Sequence, residues 1–186
     1  MTQIYVAGIA MTVFGRHPER SLEHLAGEAL TRALADAGCT APQIGVAYYS
    51  GMTNGTLQGQ ISIPGQVIFS KIGIEGIPVY NVENACASGS SAFNLAVQSL
   101  KAGTADIALA IGAEKMNVPD KAKAFAIFEG GWDVSRADEN TAALLKMGEG
   151  ITPPPGSESD KPYSKFMAIY AAFCRWHMKT YGTTQR

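Results

Sequence analysis

One cysteine lies where a reactive thiol is expected. Cys86 falls in the sequence NVENACASGSSA (residues 81–92), between an apolar strand-like run and the small-residue start of a predicted helix. A thiol at a helix N-terminus faces unpaired backbone N–H groups and the positive end of the helix dipole, which both favour the thiolate. Because the thiolate is the nucleophile in cysteine chemistry, the sequence predicts that Cys86 is a covalent catalyst.

The remaining cysteines and the histidines show no comparable pattern. Cys39 follows a predicted helix end and Cys174 lies in an apolar helix, so we expect both to be packing residues. Three widely spaced cysteines favour neither a disulfide framework nor a zinc site, and they fit a reducing compartment, for which we expect the cytoplasm. His17, His24 and His177 belong to no catalytic motif, and isolated histidines are usually solvated or structural.

Composition limits the class of protein. Hydrophobic residues make up 46% and charged residues 17% of the 186 residues, which predicts a globular chain with a real core. A net charge of −1 argues against a broad nucleic-acid surface. The apolar run around residues 107–111 is far shorter than the roughly 20 residues that span a bilayer, so we expect no membrane span. Residues 1–15 lack the basic and apolar regions of a signal peptide.

Hydrophobic periodicity predicts alternating strands and helices. We expect strands at 3–8, 44–50, 77–82 and 106–112, and helices at 22–37, 61–71 and 88–102. Ser21 is expected to cap the first helix, Gly38 to end it, and Ser88 to cap the third. The alternation predicts an α/β domain with right-handed crossovers, in which the apolar strands are covered on both faces. Cys86 then lies at the carboxyl end of a strand, where catalytic groups of such sheets lie.

The pattern changes after Met116. Charges, glycines and the prolines at 153–155 interrupt the periodicity, and we expect a final helix at about 163–181. The sequence therefore predicts an α/β domain at 1–114, followed by a covering segment at 115–186.

The Cys86 segment and the sequence DIALAIGAEKM (residues 106–116) together resemble the thiolase family, and within it the sterol-carrier or lipid-transfer type. The resemblance covers nearly the whole chain. It implies a thiolase-like α/β fold: the N-terminal layered βαβαβ half at 1–114, the beginning of the loop domain at 115–186, and no C-terminal half. A complete thiolase packs two such halves into a five-layer core.

The resemblance also implies a reaction. Cys86 would attack an acyl-CoA, form an acyl-enzyme and transfer the acyl group to or from CoA, with no metal and no cofactor other than these CoA substrates. The family's Gly-His-Pro segment, Asn-Glu-Ala-type segment and second Cys-x-Gly segment do not occur here, so we expect this chain by itself to be inactive or incomplete.

Two further residues and the local charge enter through the same resemblance. Phe166 and Met167 stand where many thiolases have a His-Met pair near the acyl chain, so they are either substrate-binding residues or ordinary packing residues. Residues 115–186 carry ten Lys and Arg against eight Asp and Glu, a small excess that is compatible with CoA phosphates.

Alternatives remain open at the level of sequence. The chain is either the N-terminal part of an acyltransferase, expected to be a homodimer by resemblance, or a noncatalytic subunit of a lipid-transfer-type thiolase or retro-aldolase complex. In the second case another chain would finish the sheet and supply the missing histidine. Condensing enzymes of fatty-acid or polyketide synthesis also have a cysteine at this place, but Glu114-Lys115-Met116 resembles the thiolases more closely.

Overall fold

The structure, a computed structural model, describes residues 3–152, 156 and 164–184. The chain divides into two compact units, Met1–Ala124 and Phe125–Arg186. The prolines at 153–155 and the predicted start of the last helix at residue 163 lie outside the described residues. The domain boundary that the sequence predicts between residues 114 and 115 stays a prediction.

The first unit alternates helices and strands, as predicted. Its elements are α1 Leu22–Ala37, β1 Val46–Ser50, α2 Asn54–Gln58, α3 Pro64–Lys71, β2 Val79–Val82, α4 Ser88–Lys101 and β3 Ala108–Gly112. α5 Lys121–Glu129 runs across the boundary, and the second unit continues with α6 Ala137–Lys146 and α7 Lys165–Tyr181. Short 3₁₀ turns occupy Ala41–Gln43 and Val134–Arg136.

The three strands of the first unit form one parallel sheet in the order β2-β1-β3. β1 is the middle strand, and all five of its residues are buried. Because side chains alternate along a strand, the residues of β1 serve two cores. Ala47 and Tyr49 pack with α1 and α3 on one face, whereas Val46 and Tyr48 pack with α4 on the other. The sheet is therefore the middle of three layers.

Local sequence accounts for the predicted helices. The Ser21 hydroxyl accepts a hydrogen bond from the His24 N–H, and Gly38 ends α1 in the left-handed conformation at φ 64°. A serine N-cap and a left-handed glycine at the C-terminus are common ways to end a helix, and both predictions are confirmed. α3 begins three residues later than predicted, at Pro64, because proline favours the first helical position and restricts the residue before it.

The predicted first strand at 3–8 is wrong: this segment has no assigned strand. α1 holds it instead. The Ile9 N–H donates to Asp36 Oδ2 at 2.9 Å, and Arg32 Nη1 donates to the Met11 carbonyl oxygen at 2.9 Å. Gly8 lies so close to α1 that a Cβ there would overlap the Ala33 carbonyl oxygen. Side chains of α1 thus bind backbone groups of residues 9 and 11, directly after the predicted strand, and Gly8 at its end packs against the helix.

Two other expectations need correction. β2 and β3 are covered less completely than predicted: each has residues packed against both cores, but each also contains exposed residues. α5 and α6 were not predicted as helices. Their charged residues interrupt the apolar pattern, and in α5 the apolar residues are spread around the helix instead of along one face. Among the helices of the described ranges, none is both long and apolar enough to cross a bilayer.

An ion pair joins α1 to α3 and makes their packing sensitive to pH. Lys71 Nζ lies 2.5 Å from Glu23 Oε1. The hydrogen bond from Lys71, with a smaller contribution from Ser21, lowers the pKa of Glu23 from 4.5 to about 2. A carboxylate with a lowered pKa stabilises the fold above its unfolded pKa, and this contribution is lost as the pH falls through the folded value.

We predict that Lys71→Met lowers the free energy of unfolding at pH 7 by about 0.5 kcal/mol, the range of a partly exposed pair. The difference from the unaltered chain should shrink as the pH falls from 4.5 toward 2, where Glu23 becomes protonated. Urea unfolding at several pH values measures the loss of stability at pH 7 and its decrease at low pH. Lys123→Met, on the exposed face of α5, is the control; an equal loss in both variants would contradict the prediction.

Candidate functional site

The predicted nucleophile lies at the carboxyl edge of the sheet. Cys86 follows the end of β2, precedes α4 by two residues and is exposed. Because all three strands are parallel, the segments that follow β1 and β3 lie at the same edge. The structure thus places Cys86 after the carboxyl end of a strand, as the sequence predicted.

Hydrogen bonds fix the turn that carries Cys86. Ala85, immediately before the cysteine, has φ 47°, a left-handed conformation that is uncommon for a residue with a Cβ. Its N–H donates to Glu83 Oε1 at 2.6 Å. The Ser88 hydroxyl accepts from the Asn84 N–H at 2.8 Å and donates to the Ala85 carbonyl oxygen at 2.7 Å. The backbone on both sides of Ala85 is therefore tied to the first residue of α4.

Ser88 does not cap α4 as the sequence predicted. The N-cap is Ala87, which has no side-chain oxygen to receive an N–H group, and Ser88 is the first helical residue. Its hydroxyl points back to the turn instead. A second tie runs from Asn84 Nδ2 to Ser91 Oγ at 2.9 Å. Sequence reasoning recognised the small polar residues of this segment but assigned them only to helix capping and close packing.

The neighbouring segment after β1 is held by Tyr49 and Glu114. The Tyr49 hydroxyl donates to the Ala113 carbonyl oxygen at 2.8 Å and accepts from Asn54 Nδ2 at 2.5 Å. Burial raises the pKa of Tyr49 to about 12, so the hydroxyl remains a donor at physiological pH. Glu114 Oε1 accepts from the Met52 and Thr53 N–H groups at 2.6 and 3.1 Å. These bonds connect the carboxyl ends of β1 and β3.

Two buried oxygen atoms in this segment are unsatisfied. Within the described residues, Thr53 Oγ1 and Asn54 Oδ1 have no hydrogen-bond partner, and both side chains are almost fully buried. An unsatisfied buried polar atom costs about 1–3 kcal/mol. The bonds from Tyr49 and Glu114 must therefore offset a local penalty, which makes them important for the shape of this edge.

The predicted substrate-binding residues lie in the second unit. Phe166 is half-buried among aromatic rings, with its centroid 5.1 Å from that of Phe128 and 4.9 Å from that of Tyr170. Met167, the next residue of α7, is 62% exposed. The contacts of Phe166 agree with the packing interpretation, and the exposed Met167 is free of this aromatic cluster. The proposed contact of either residue with an acyl chain remains a prediction.

The remaining thiols and histidines add no second reactive cluster. Cys39 is half-buried, as expected, but Cys174 is exposed, so the prediction that it is a packing residue is wrong. His17 Nε2 lies 2.8 Å from the Val13 carbonyl oxygen, and His177 Nδ1 lies 2.9 Å from Thr183 Oγ1. In the described part of the chain, no group of three or more His, Cys, Asp or Glu residues is arranged to hold a metal ion.

Comparison with known proteins identifies a matching family and several relatives. Residues 4–148 match the family model described as "Thiolase, N-terminal domain". Acetyl-CoA acetyltransferase from Methanocaldococcus jannaschii is 32% identical over 185 residues, which cover 99% of this chain and 41% of that protein. Sterol carrier protein 2 from Gallus gallus is 35% identical over 126 residues, or 67% of this chain and 22% of that protein.

One solved structure is similar to this chain at a lower sequence identity. The 3-oxoacyl-(acyl carrier protein) synthase III from Xanthomonas oryzae pv. oryzae has a TM-score of 0.49 and 19% sequence identity, and the match covers 68% of this chain and 37% of that one. The chain spans less than half the length of the curated relatives described above.

We predict that Tyr49→Phe destabilises the carboxyl edge of the sheet. The substitution keeps the ring but leaves Asn54 Nδ2 and the Ala113 carbonyl oxygen without their partner, which should lower the free energy of unfolding by about 1–3 kcal/mol. Urea unfolding measures the loss. Tyr80→Phe is the matched control on the neighbouring strand, because Tyr80 is 52% exposed. Equal stability of Tyr49→Phe and the unaltered chain would show that these bonds contribute little.

Proposed function

Because this chain belongs to the thiolase family, we propose that it carries the nucleophilic part of an acyl-CoA acyltransferase, with Cys86 as the residue that becomes acylated. One observation carries the proposal. Cys86 is exposed on a hydrogen-bonded turn at the carboxyl edge of a parallel sheet, immediately ahead of α4. Such a position allows a large thioester to approach the sulfur while the backbone around it stays fixed.

The proposed step is a covalent acyl transfer. The Cys86 thiolate attacks the ketone carbon of acetoacetyl-CoA, and the bond between that carbon and the neighbouring CH₂ breaks. The electron pair of this bond goes to the leaving CH₂, which takes up a proton and departs as acetyl-CoA. An acetyl group remains as a thioester on Cys86. The thiol of CoA then accepts the acetyl group and restores Cys86, so CoA and acyl-CoA serve as substrates and no other cofactor takes part.

The parts of the site beyond Cys86 are proposed from the family resemblance. We assign Phe166 and Met167 to the neighbourhood of the acyl chain, and the basic residues of 115–186 to the phosphates of CoA. Turnover also needs a general base and an acid. We propose that the chain associates either with a second copy of itself, as a homodimer, or with a different polypeptide. The different polypeptide would supply the general base and the acid.

The intact mass of the chain after incubation with acetoacetyl-CoA tests the proposal. We expect a mass increase of one acetyl group, and we expect Cys86→Ala to abolish it. Cys174→Ala is the matched control, because Cys174 is also exposed but lies within α7. It should leave the adduct unchanged.

Either of two results would contradict the proposal. The adduct would persist in Cys86→Ala if another residue were the nucleophile. A folded chain that forms no adduct, while Cys86 reacts with iodoacetamide, would mean that this chain alone does not carry out acyl transfer.

A specific feature favours the second candidate, a subunit that requires further polypeptide. An apolar cleft of about 630 Å³ lies between β3 and the segment 4–10, with α1 and α4 at its other walls. Its walls include consecutive residues of both backbones, 106–111 and 4–10. Within the described residues, no backbone–backbone hydrogen bond joins these two segments.

An unpaired strand edge is a place where another strand can add. A strand in the cleft would pair with β3 and satisfy its outer N–H and carbonyl groups, which an apolar small molecule could not do. The strand could come from further polypeptide that is either joined to this chain or separate from it. Under this proposal, the chain gains stability only when the cleft is filled.

We predict that the cleft binds the part of the Methanocaldococcus jannaschii acetyl-CoA acetyltransferase that this chain does not cover. Size-exclusion chromatography of the mixture should give a complex, and amide hydrogen exchange should slow in β3. Ile9→Lys, within the cleft, should weaken the complex, whereas Phe14→Lys should not, since Phe14 is exposed but outside the cleft walls. An isolated chain that is a stable monomer and binds nothing would contradict the prediction.

A further inference from the structure

We propose that Ser88 is a positioning residue that holds Ala85 in its left-handed conformation and thereby fixes Cys86 ahead of α4. The inference deepens the proposed function and rests on Cys86 being the acylated residue. Ser88 is the first residue of α4, but its side chain stabilises the turn that precedes the helix.

The contacts of Ser88 carry the inference. Its side chain is buried, and the residue is only 6% exposed. One oxygen atom both accepts from the Asn84 N–H and donates to the Ala85 carbonyl oxygen. These groups belong to Ala85 and to the residue before it, so a single hydroxyl binds the backbone at two points of the turn; the Ser88 N–H also donates to the Ala85 carbonyl oxygen, at 3.1 Å. The two bonds of the hydroxyl are 2.8 and 2.7 Å long.

The backbone conformation explains why such bonds are needed. A left-handed conformation brings the Cβ of an alanine close to its own carbonyl oxygen, and glycine is the residue that adopts it without this clash. Ala85 therefore leaves the conformation unless other contacts hold it. Cys86 follows directly in the chain, so a change in the dihedral angles of Ala85 would swing the thiol away from its place ahead of α4.

Ser90 provides a matched control on the same turn of α4. Its hydroxyl also donates to a backbone carbonyl oxygen, that of Ala87, at 2.9 Å, but the residue is exposed and bonds neither Asn84 nor Ala85. Ser88→Ala and Ser90→Ala thus remove the same chemical group from positions two residues apart, and only the first removes hydrogen bonds to the backbone of Asn84 and Ala85.

The test compares two reactions of Cys86 in each variant. Acetyl transfer from acetoacetyl-CoA requires an oriented thiol, whereas alkylation by iodoacetamide requires only an accessible one. We expect Ser88→Ala to slow acetyl transfer by about tenfold, because the bonds that orient the turn are lost. Alkylation of Cys86 should change by less than about threefold, and Ser90→Ala should alter neither rate by more than about twofold.

A second substitution separates positioning from general stability. Ala85→Gly in the Ser88→Ala background should restore most of the acetyl transfer, because glycine adopts the left-handed conformation without the Cβ clash. Loss of packing alone would not be rescued in this way. The half-buried Cys39 reports general unfolding, and its alkylation should stay slow in all variants.

Failure of this inference is distinguishable from failure of the proposed function. If Ser88→Ala transfers acetyl at the rate of the unaltered chain, or if Ser90→Ala loses as much, the positioning role is wrong and the nucleophile stands. If the unaltered chain forms no acetyl adduct, the NMR chemical shifts of Ala85 decide the positioning role alone. In Ser88→Ala these shifts should move away from the values of a left-handed residue. In Ser90→Ala they should keep the left-handed values.

Discussion

The pairing of β1 with a strand on each side is the constraint on which the first unit depends. β1 is buried along its whole length, and its alternating side chains enter two separate cores. A shift of one residue in the register would exchange Ala47 and Tyr49 with Val46 and Tyr48, and would place each pair in the wrong core. The register also fixes where the three strands end, and hence which turns meet at the carboxyl edge.

The features of that edge follow from two kinds of interaction. Tyr49 and Glu114 join residues more than 60 positions apart, so the segment after β1 takes its shape only after β3 is in place. The turn before α4 is different, because its bonds connect residues 83–91 only. The conformation around Cys86 is therefore determined locally once β2 and α4 have formed, whereas its neighbours are determined by the sheet.

This distinction explains what the sequence could predict. The three strands β1, β2 and β3, the cap of α1 at Ser21, its end at Gly38 and the position of Cys86 after a strand all depend on short patterns, and they were predicted. The position of residues 3–8 was not, because Gly8 packs against α1 and the residues that follow, Ile9 and Met11, are bound by Asp36 and Arg32 through contacts that no periodicity reveals. The role of Ser88 was missed for a related reason. Its residue type suits a helix cap, and only the folded structure reveals that its oxygen faces the turn.

The same distinction bears on how the proposed chemistry is divided along the chain. A nucleophile needs a fixed backbone near its sulfur, and the residues within five positions of Cys86 supply it. Turnover needs in addition a base and an acid at the reacting atoms, and no histidine lies between residues 25 and 176. The open cleft beside β3 is likewise a feature that local sequence cannot complete. A polypeptide strand that entered this cleft would extend the sheet from β3, the strand whose carboxyl end bears Glu114. One association would then both extend the sheet and supply the base and the acid. For this physical reason the acyltransferase proposal and the proposal of a subunit that requires further polypeptide belong together.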